Sequence, residues 1–311
     1  MRKFIRNLTA LAFCALAPMA QAQNTNQSIG IMAGAWGDTS TVLGEELGRA
    51  IDGWSGVNVK VMFGRGSEQN IDDLLFLRGV DFAFLNTDVM TNLRISNPDH
   101  PALDALAYLT KVADAEMHLL VRKDSGINSI QDLRGRRVSY GNVGSGSALT
   151  SRLMLRLFNT NVTGVFLDTN LALFSLMDGE VDGVFVVGAK PLPILQNIQA
   201  DDNLKLVPIS FAAQLEGIYE EAAFDAADYP NLVEDKLLPT ISVPVVLAVY
   251  NKFAKNSVRY QNIVSFSDAF METIPRLQQP PRHPKWQELD LDAEVEGWQR
   301  FSYFEDLIAQ Q

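Results

Sequence analysis

Apolar positions recur along this chain with two alternating periods. After a polar start, SIGIMAG (28–34) is a short apolar run closing on glycine, the pattern of a strand entering a turn. TSTVLGEELGRAIDGW (39–54) then sets Leu43, Leu47, Ala50, Ile51 and Trp54 at i, i+4, i+7, i+8 and i+11, one apolar stripe of a helix. VNVKVMF (57–63) reads as a strand, GRGSEQNIDDLLFLRG (64–79) as a loop followed by a helix, and VDFAFL (80–85) as a strand. A second series starts near Glu116. EMHLLVRKDSG is a strand running into a turn, SIQDLRG a short helix ended by Gly135, and RRVSYG a strand. The glycine-rich stretch 141–147 follows, then the helix SALTSRLMLRLFN, the strand VTGVFL, the helix NLALFSLMDGE and the strand VDGVFVVGA. Strands alternating with helices of ten to fifteen residues predict an α/β fold with a largely parallel sheet.

The two series resemble each other. LRGVDFAFLN (77–86) and MDGEVDGVFVVG (177–188) share a glycine, a Val-Asp pair and a phenylalanine-bearing apolar strand that ends in a polar or glycine turn. Each lies downstream of a strand, a glycine loop and a helix: IMAGAWGDTSTVLGEEL in one series, VSYGNVGSGSALTSRLM in the other. The repetition predicts two lobes of similar topology, each with a glycine loop at the carboxyl end of its first strand. In open parallel sheets that end is where ligands sit. A long apolar run, ISVPVVLAVYNKF (241–253), suits a buried crossover strand. In the tail, Pro280, Pro281 and Pro284 oppose a helix, while Trp286, Trp298 and Phe301 are too large to leave in solvent. The tail is expected to wrap back onto a lobe.

Composition narrows the setting. Residues 1–22 carry Arg2, Lys3 and Arg6, an apolar run from Leu8 to Ala20, and Ala20-Gln21-Ala22 in small-x-small order. This is the pattern of a secretory signal peptide cleaved after Ala22, which predicts a periplasmic chain. The apolar run is too short to span a membrane. The single cysteine, Cys14, lies in the leader, and Phe13 stands where lipid attachment would need a small residue. A chain without disulfides in an oxidising compartment must be held by burial alone, and 47 % hydrophobic content allows it. Loss of the leader leaves 23 of the 26 Lys and Arg against 37 Asp and Glu, a formal charge of −14 in place of −11. That balance disfavours nucleic acid and anionic membrane surfaces as partners, so an anionic ligand would need local donors.

The stretch YGNVGSGSALT (140–150) supplies one candidate set. A helix beginning directly after the glycines offers unpaired first-turn N–H groups and a positive dipole end, which bind anions without a basic side chain. Gly144 and Gly146 would let a ligand approach the backbone; Ser145 or Ser147 would cap the helix or donate directly. An ordinary strand-to-helix turn with a serine cap explains the same residues. A P-loop would need lysine after the glycines, a dinucleotide fingerprint a third glycine where GSGSAL has leucine, and a nucleophile elbow the absent G-x-S-x-G. His100, His118 and His283 lack metal-ligand spacing. Neither a metal, a cofactor nor a catalytic constellation is therefore expected. Further candidates for ligand contact are Trp36 as an apolar wall and Thr39 as a helix N-cap, then Arg65, Ser67 and Asn70, and then Asn86 and Thr87 at a strand end. Gly188 at the matching strand end of the second series and Tyr219 complete the set, and Arg65 could pair bidentately with a carboxylate. Asp88 is expected to cap the helix that follows it.

The order of these motifs, above all DLRGRRVSYGNVGSGSALTSRLML with LMDGEVDGVFVVGAKPLPIL, resembles the TAXI family of solute-binding receptors, the extracytoplasmic subunits of one class of tripartite (TRAP) transporters. GSEQNIDDLLFLRGVDFAFLNTD and the tail HPKWQELDLDAEVEGWQRF also match. The resemblance implies a two-lobed periplasmic binding protein of type II with two crossover hinge strands, natural here at 116–121 and 241–250, and a ligand cleft between the lobes. It places the first lobe at 23–117 and 245–311 and the second at 118–244. It also implies a receptor, not an enzyme, that takes a small carboxylate or amino acid to membrane permease subunits and meets the membrane only through them. Trp36, intruding into the first glycine loop, and Arg65 depart from the family pattern, and both touch the expected pocket. A ligand sensor with another membrane partner, or a secreted enzyme on the same scaffold, are the alternatives.

Overall fold

The computed structural model describes residues 27–52, 56–234 and 237–310. The leader with Cys14, and Trp54 of the helical stripe, lie outside them. The first lobe starts with β1 (Gln27–Met32), α1 (Thr39–Ile51), β2 (Val57–Met62), α2 (Ser67–Phe76), β3 (Phe82–Asn86), α3 (Asp88–Ser96) and the short α4 (Ala102–Ala105). β1 lies between β2 and β3, parallel to both. Leu43, Leu47, Ala50 and Ile51 of the predicted stripe are buried. On the same helix, Gly44 and Gly48 lie against Val61, where a Cβ on Gly48 would stand 2.7 Å from a valine methyl. Their lack of side chains lets α1 sit close on the sheet.

Two long strands join the lobes. β4 (Leu106–Arg122) and β10 (Leu238–Tyr250) pair antiparallel at the centre of a ten-stranded sheet whose main path is β2-β1-β3-β10-β4, continued by β7 (Gly183–Gly188), β5 (Arg137–Ser139) and β6 (Thr163–Val165). β10 meets β3 through 245–249 and β9 (Glu220–Phe224) through 238–242. β4 changes partners at Glu116, which is opposite both Ser242 of β10 and Gly188 of β7 (Gly183–Gly188). The second lobe adds β5 (Arg137–Ser139), α5 (Gly146–Leu157), β6 (Thr163–Val165), α6 (Thr169–Met177), α7 (Pro193–Gln196) and β8 (Leu204–Leu206). β5 is parallel to β6 and β7.

Three expectations need correction. The pattern places a strand start near Glu116, whereas β4 begins ten residues earlier. Thr110, Lys111 and Asp114 interrupt its apolar run, and Lys111 is neutralised in part by Glu220, 3.0 Å away and remote in sequence. The short helix expected at 129–135 is one 3₁₀ turn, Ile130–Leu133. The last strand ends at Tyr250, not Phe253, where Asn251 turns its N–H to the Ala105 carbonyl.

After β10 the chain forms α8 (Val258–Leu277), and the tail then returns over the first lobe to end in α9 (Ser302–Ile308). Trp286 is fully buried and donates Nε1–H to Glu46, while Trp298 donates to the Thr87 carbonyl. Lys285, buried as well, reaches Glu116 at 2.8 Å, and the same carboxylate accepts the Lys190 N–H from the second lobe. The tail thus ties itself to the residue where β4 passes between lobes.

Candidate functional site

The carboxyl ends of β1, β2, β3, β5 and β7 face one cleft between the lobes. Its cavity is narrow, about 50 Å³. Three helices begin at its wall. Thr39 and Ser40 open α1, Gly66 and Ser67 stand at the start of α2, and Gly146 and Ser147 open α5. First-turn N–H groups have no acceptor within their own helix, so three positive helix ends converge on one space. Leu43, Phe84, Ala113, Ala115, Val187 and Val245 supply an apolar floor.

Each turn is shaped by its own sequence. At the α5 end, Gly141 and Gly144 take φ of +94° and +81°, conformations that glycine adopts without strain. Ser145 is the N-cap, its Oγ accepting the Ala148 N–H at 3.0 Å. The Ser147 hydroxyl accepts the Val187 N–H at 2.9 Å and so fastens α5 to the end of β7. Both serine side chains are therefore engaged by the protein, and the donors left at this end are backbone N–H groups. At the α2 end Gly66 has φ +121° and lies against the second lobe: a Cβ there would stand 2.8 Å from Ser145 Cα.

At the α1 end the N-cap is Asp38, and Thr39, expected to cap, is the first helical residue. Asp38 reaches back instead, its Oδ2 accepting the Ala35 N–H at 2.9 Å. Burial, helped by Asp168 nearby, pushes its carboxyl up to about 6 against the opposing Ala35 hydrogen bond. Among the described residues Asp38 is the only ionisable side chain lining the cleft, and no lysine, arginine or histidine lines it. The sequence signal for Asp38 was its place before Thr39-Ser40 at a helix start, which marks a cap but not a cleft.

Of the thirteen residues singled out from sequence, Thr39, Ser67, Asn86, Gly146, Ser147 and Gly188 meet in this lining. Ser145 lies just behind it, as the cap of α5. Gly144 forms the turn before α5, where its carbonyl accepts the Gln69 N–H across the lobes. Asn70 is buried beneath, donating to the Ala33 and Phe84 carbonyls. Arg65 is exposed and packs over Gly144, and Trp36 stands 82 % exposed against Phe63. Neither lines the cleft. Thr87 and Tyr219 belong to a neighbouring surface pocket near the tail.

The lobes touch through a polar seam beside the cleft. The Thr39 hydroxyl accepts the Ala189 N–H at 3.1 Å, Asn86 Nδ2 donates to Thr150 Oγ1 at 3.3 Å, and Arg152 pairs with both Glu68 oxygens. Tyr219 donates to Asp88 Oδ2 at 3.0 Å. Asp88 was expected to cap α3 and does not; Thr87 holds that position. Asp88 is buried with Oδ1 unpartnered, and burial pushes it up to about 7 despite the Thr150 and Tyr219 hydroxyls. Among the described residues no cluster of His, Cys, Asp and Glu is placed to hold a metal ion, and no helix is long and apolar enough to cross a membrane.

The model of a family described as the NMT1-like family matches residues 31–296. Among solved structures, the periplasmic binding protein BugD is 13 % identical, covers 91 % of this chain and 92 % of its own, and superposes with a TM-score of 0.53. An ABC uptake transporter substrate-binding protein from Streptococcus pneumoniae, solved with histidine bound, is 12 % identical over 88 % of this chain and 95 % of its own, TM-score 0.51. A histidine kinase sensor domain with similarity to periplasmic binding proteins is 18 % identical over 84 % and 96 %, TM-score 0.51. At these identities the likeness is one of fold: a mixed α/β, two-lobed periplasmic binding protein of type 2.

Proposed function

From the premise that this chain belongs to the NMT1-like family, we propose that it is an exported receptor closing two lobes around a small carboxylate-bearing solute. The observation that carries this reading is the convergence of three helix N-termini, from both lobes, on one cleft that no cationic side chain lines among the described residues. Such a site binds an anion through oriented backbone donors, against an acidic protein. A ligand touching both lobes stabilises the closed arrangement because only there does it make all its contacts.

The leader pattern supports export to the periplasm, and the motif order supports delivery to the membrane permease subunits of a TRAP-type transporter of the TAXI class. The solved structures of like fold are named as binding or sensor proteins, which supports a binding role over an enzymatic one. Likeness to a kinase sensor domain also favours a second reading, in which the closed form signals to a membrane partner.

Thermal-shift screening of the mature protein against carboxylates, amino acids and sulfonates, followed by calorimetry, tests the first part. A ligand-dependent rise in melting temperature with a carboxylate is expected, and no rise with any anion overturns it. Uptake by vesicles carrying the permease, dependent on added receptor, separates transport from sensing.

A further inference from the structure

We propose that the solute is a small zwitterion, an α-amino acid with an uncharged aliphatic side chain, whose ammonium is received by Asp38 and the Asn86 side-chain oxygen. The inference rests on the reading above, that the cleft binds a carboxylate, and adds what the rest of the ligand must be.

The lining divides into three kinds of surface. The helix ends at Ser67 and at Gly146-Ser147 present backbone donors, which suit the carboxylate. Beside them in the lining stand acceptors lacking donors. Asp38 Oδ2 is used by the Ala35 N–H, and its Oδ1 has no partner among the described residues. Asn86 gives its amide nitrogen to Thr150 Oγ1, and its oxygen likewise has no partner among them. Asn86 is more than nine-tenths buried and lines the cleft, against Gly146. Neither oxygen is fully buried, so each stays open to the cleft and free to accept an N–H group from a ligand in place of water.

Charge points the same way. A purely anionic ligand would be enclosed beside the Asp38 carboxylate with no cation to offset it. An ammonium on the ligand turns that repulsion into a charge-assisted hydrogen bond. Two helix ends serve the carboxylate and the third carries Asp38, so among the described residues the lining offers neither a free helix end nor a cation to a second carboxylate or an anionic side chain. The remaining wall, Leu43, Phe84, Ala113, Ala115, Val187 and Val245, accepts only an apolar group.

Calorimetry on the mature protein with matched sets tests this: L-alanine, L-valine and L-leucine, each against its 2-oxo, 2-hydroxy and unsubstituted acid, with L-glutamate and 2-oxoglutarate added. An aliphatic amino acid should bind about 100-fold or more tightly than its amine-free counterparts, because a site built around an N–H group rejects analogues without it. The dicarboxylates should not bind. Asp38→Asn should erase that ratio, weakening the amino acid while leaving the unsubstituted acid unchanged or tighter. The ratio is internal to each variant and so is independent of a general loss of folded protein. Amine-free acids binding as well as amino acids, tight binding of glutamate, or an unchanged ratio in Asp38→Asn each overturn the inference while leaving a carboxylate receptor intact. Failure of the whole panel to bind overturns both.

Discussion

The turns β1–α1 and β5–α5 are the same device in the two lobes, a parallel strand entering a glycine turn that hands over to a helix end, yet their chemistry is opposite. In the second lobe the cap is Ser145, which satisfies its own helix and leaves the cleft a neutral set of backbone donors. In the first lobe the cap position holds Asp38, which makes no side-chain bond to its own helix and brings a carboxylate into the cleft. Both turns carry an exposed apolar tip, Val143 in one and Trp36 in the other. Topology repeats, and the residue at one position decides whether a helix end only donates or also accepts.

Gly146 is where the second-lobe turn is most sensitive to a side chain. A Cβ there would stand 2.7 Å from Asn86 Nδ2, so Gly146→Val should hold α5 away from β3 and reduce ligand affinity by about 100-fold or more. The circular dichroism of the folded chain should be retained. Normal calorimetric binding by this variant would remove the second-lobe turn from the site.

The seam between the turns comes next. Tyr219→Phe withdraws the donor from buried Asp88, whose other oxygen already has no partner. Leaving such a group unsatisfied costs about 1–3 kcal/mol, readable in urea denaturation at pH 8. Ser145→Ala, which loses a cap, should cost about 1 kcal/mol in the same measurement. Equal stability of Ser145→Ala and wild type would mean that the cap contributes nothing to α5.

Asp38 should produce a smaller effect of opposite sign at high pH. The folded-state values of Asp38, about 6, and Asp88, about 7, are raised above the ordinary 3.8. Between that value and 6–7 the folded chain holds protons that the unfolded chain has released, so their contribution to stability falls as pH rises through this window. The melting temperature should therefore drop between pH 5 and pH 8. Asp38→Asn and Asp88→Asn should each flatten part of that drop, and an undiminished slope in the double variant would contradict the assignment. Trp36→Ala, at the exposed tip, should stay within about 0.5 kcal/mol of wild type, and a larger loss would place Trp36 in the packing of its lobe.

Much of the frame was legible because it is written in local periodicity. The α1 stripe, the alternation of strands and helices and the two glycine turns follow from spacing alone. So did the returning tail, since Trp286 and Phe301 could only be buried against another part of the chain. The first half of β4 was illegible because Lys111 and Asp114 break its apolar pattern, and Glu220, which pairs with Lys111 alongside Asp114, comes from β9. The candidate site was legible as backbone and not as side chains. Gly146, Ser67 and Asn86 meet where strand ends predict, whereas Arg65, the obvious anion partner in sequence, lies outside, and among the described residues no cation lines the cleft.

By itself the sequence determined that helix ends would face the carboxyl ends of parallel strands in two repeated series. Hydrophobic period and glycine position act over a few residues and need no distant partner. Tertiary structure alone decided which helix ends share one cleft, that Asp38 turns into it while Trp36 and Arg65 turn out, and that Ser147 is spent on Val187. Those outcomes depend on contacts between segments more than a hundred residues apart in places, such as Thr39 with Ala189. The direction of a loop side chain is set by what the other lobe places against it.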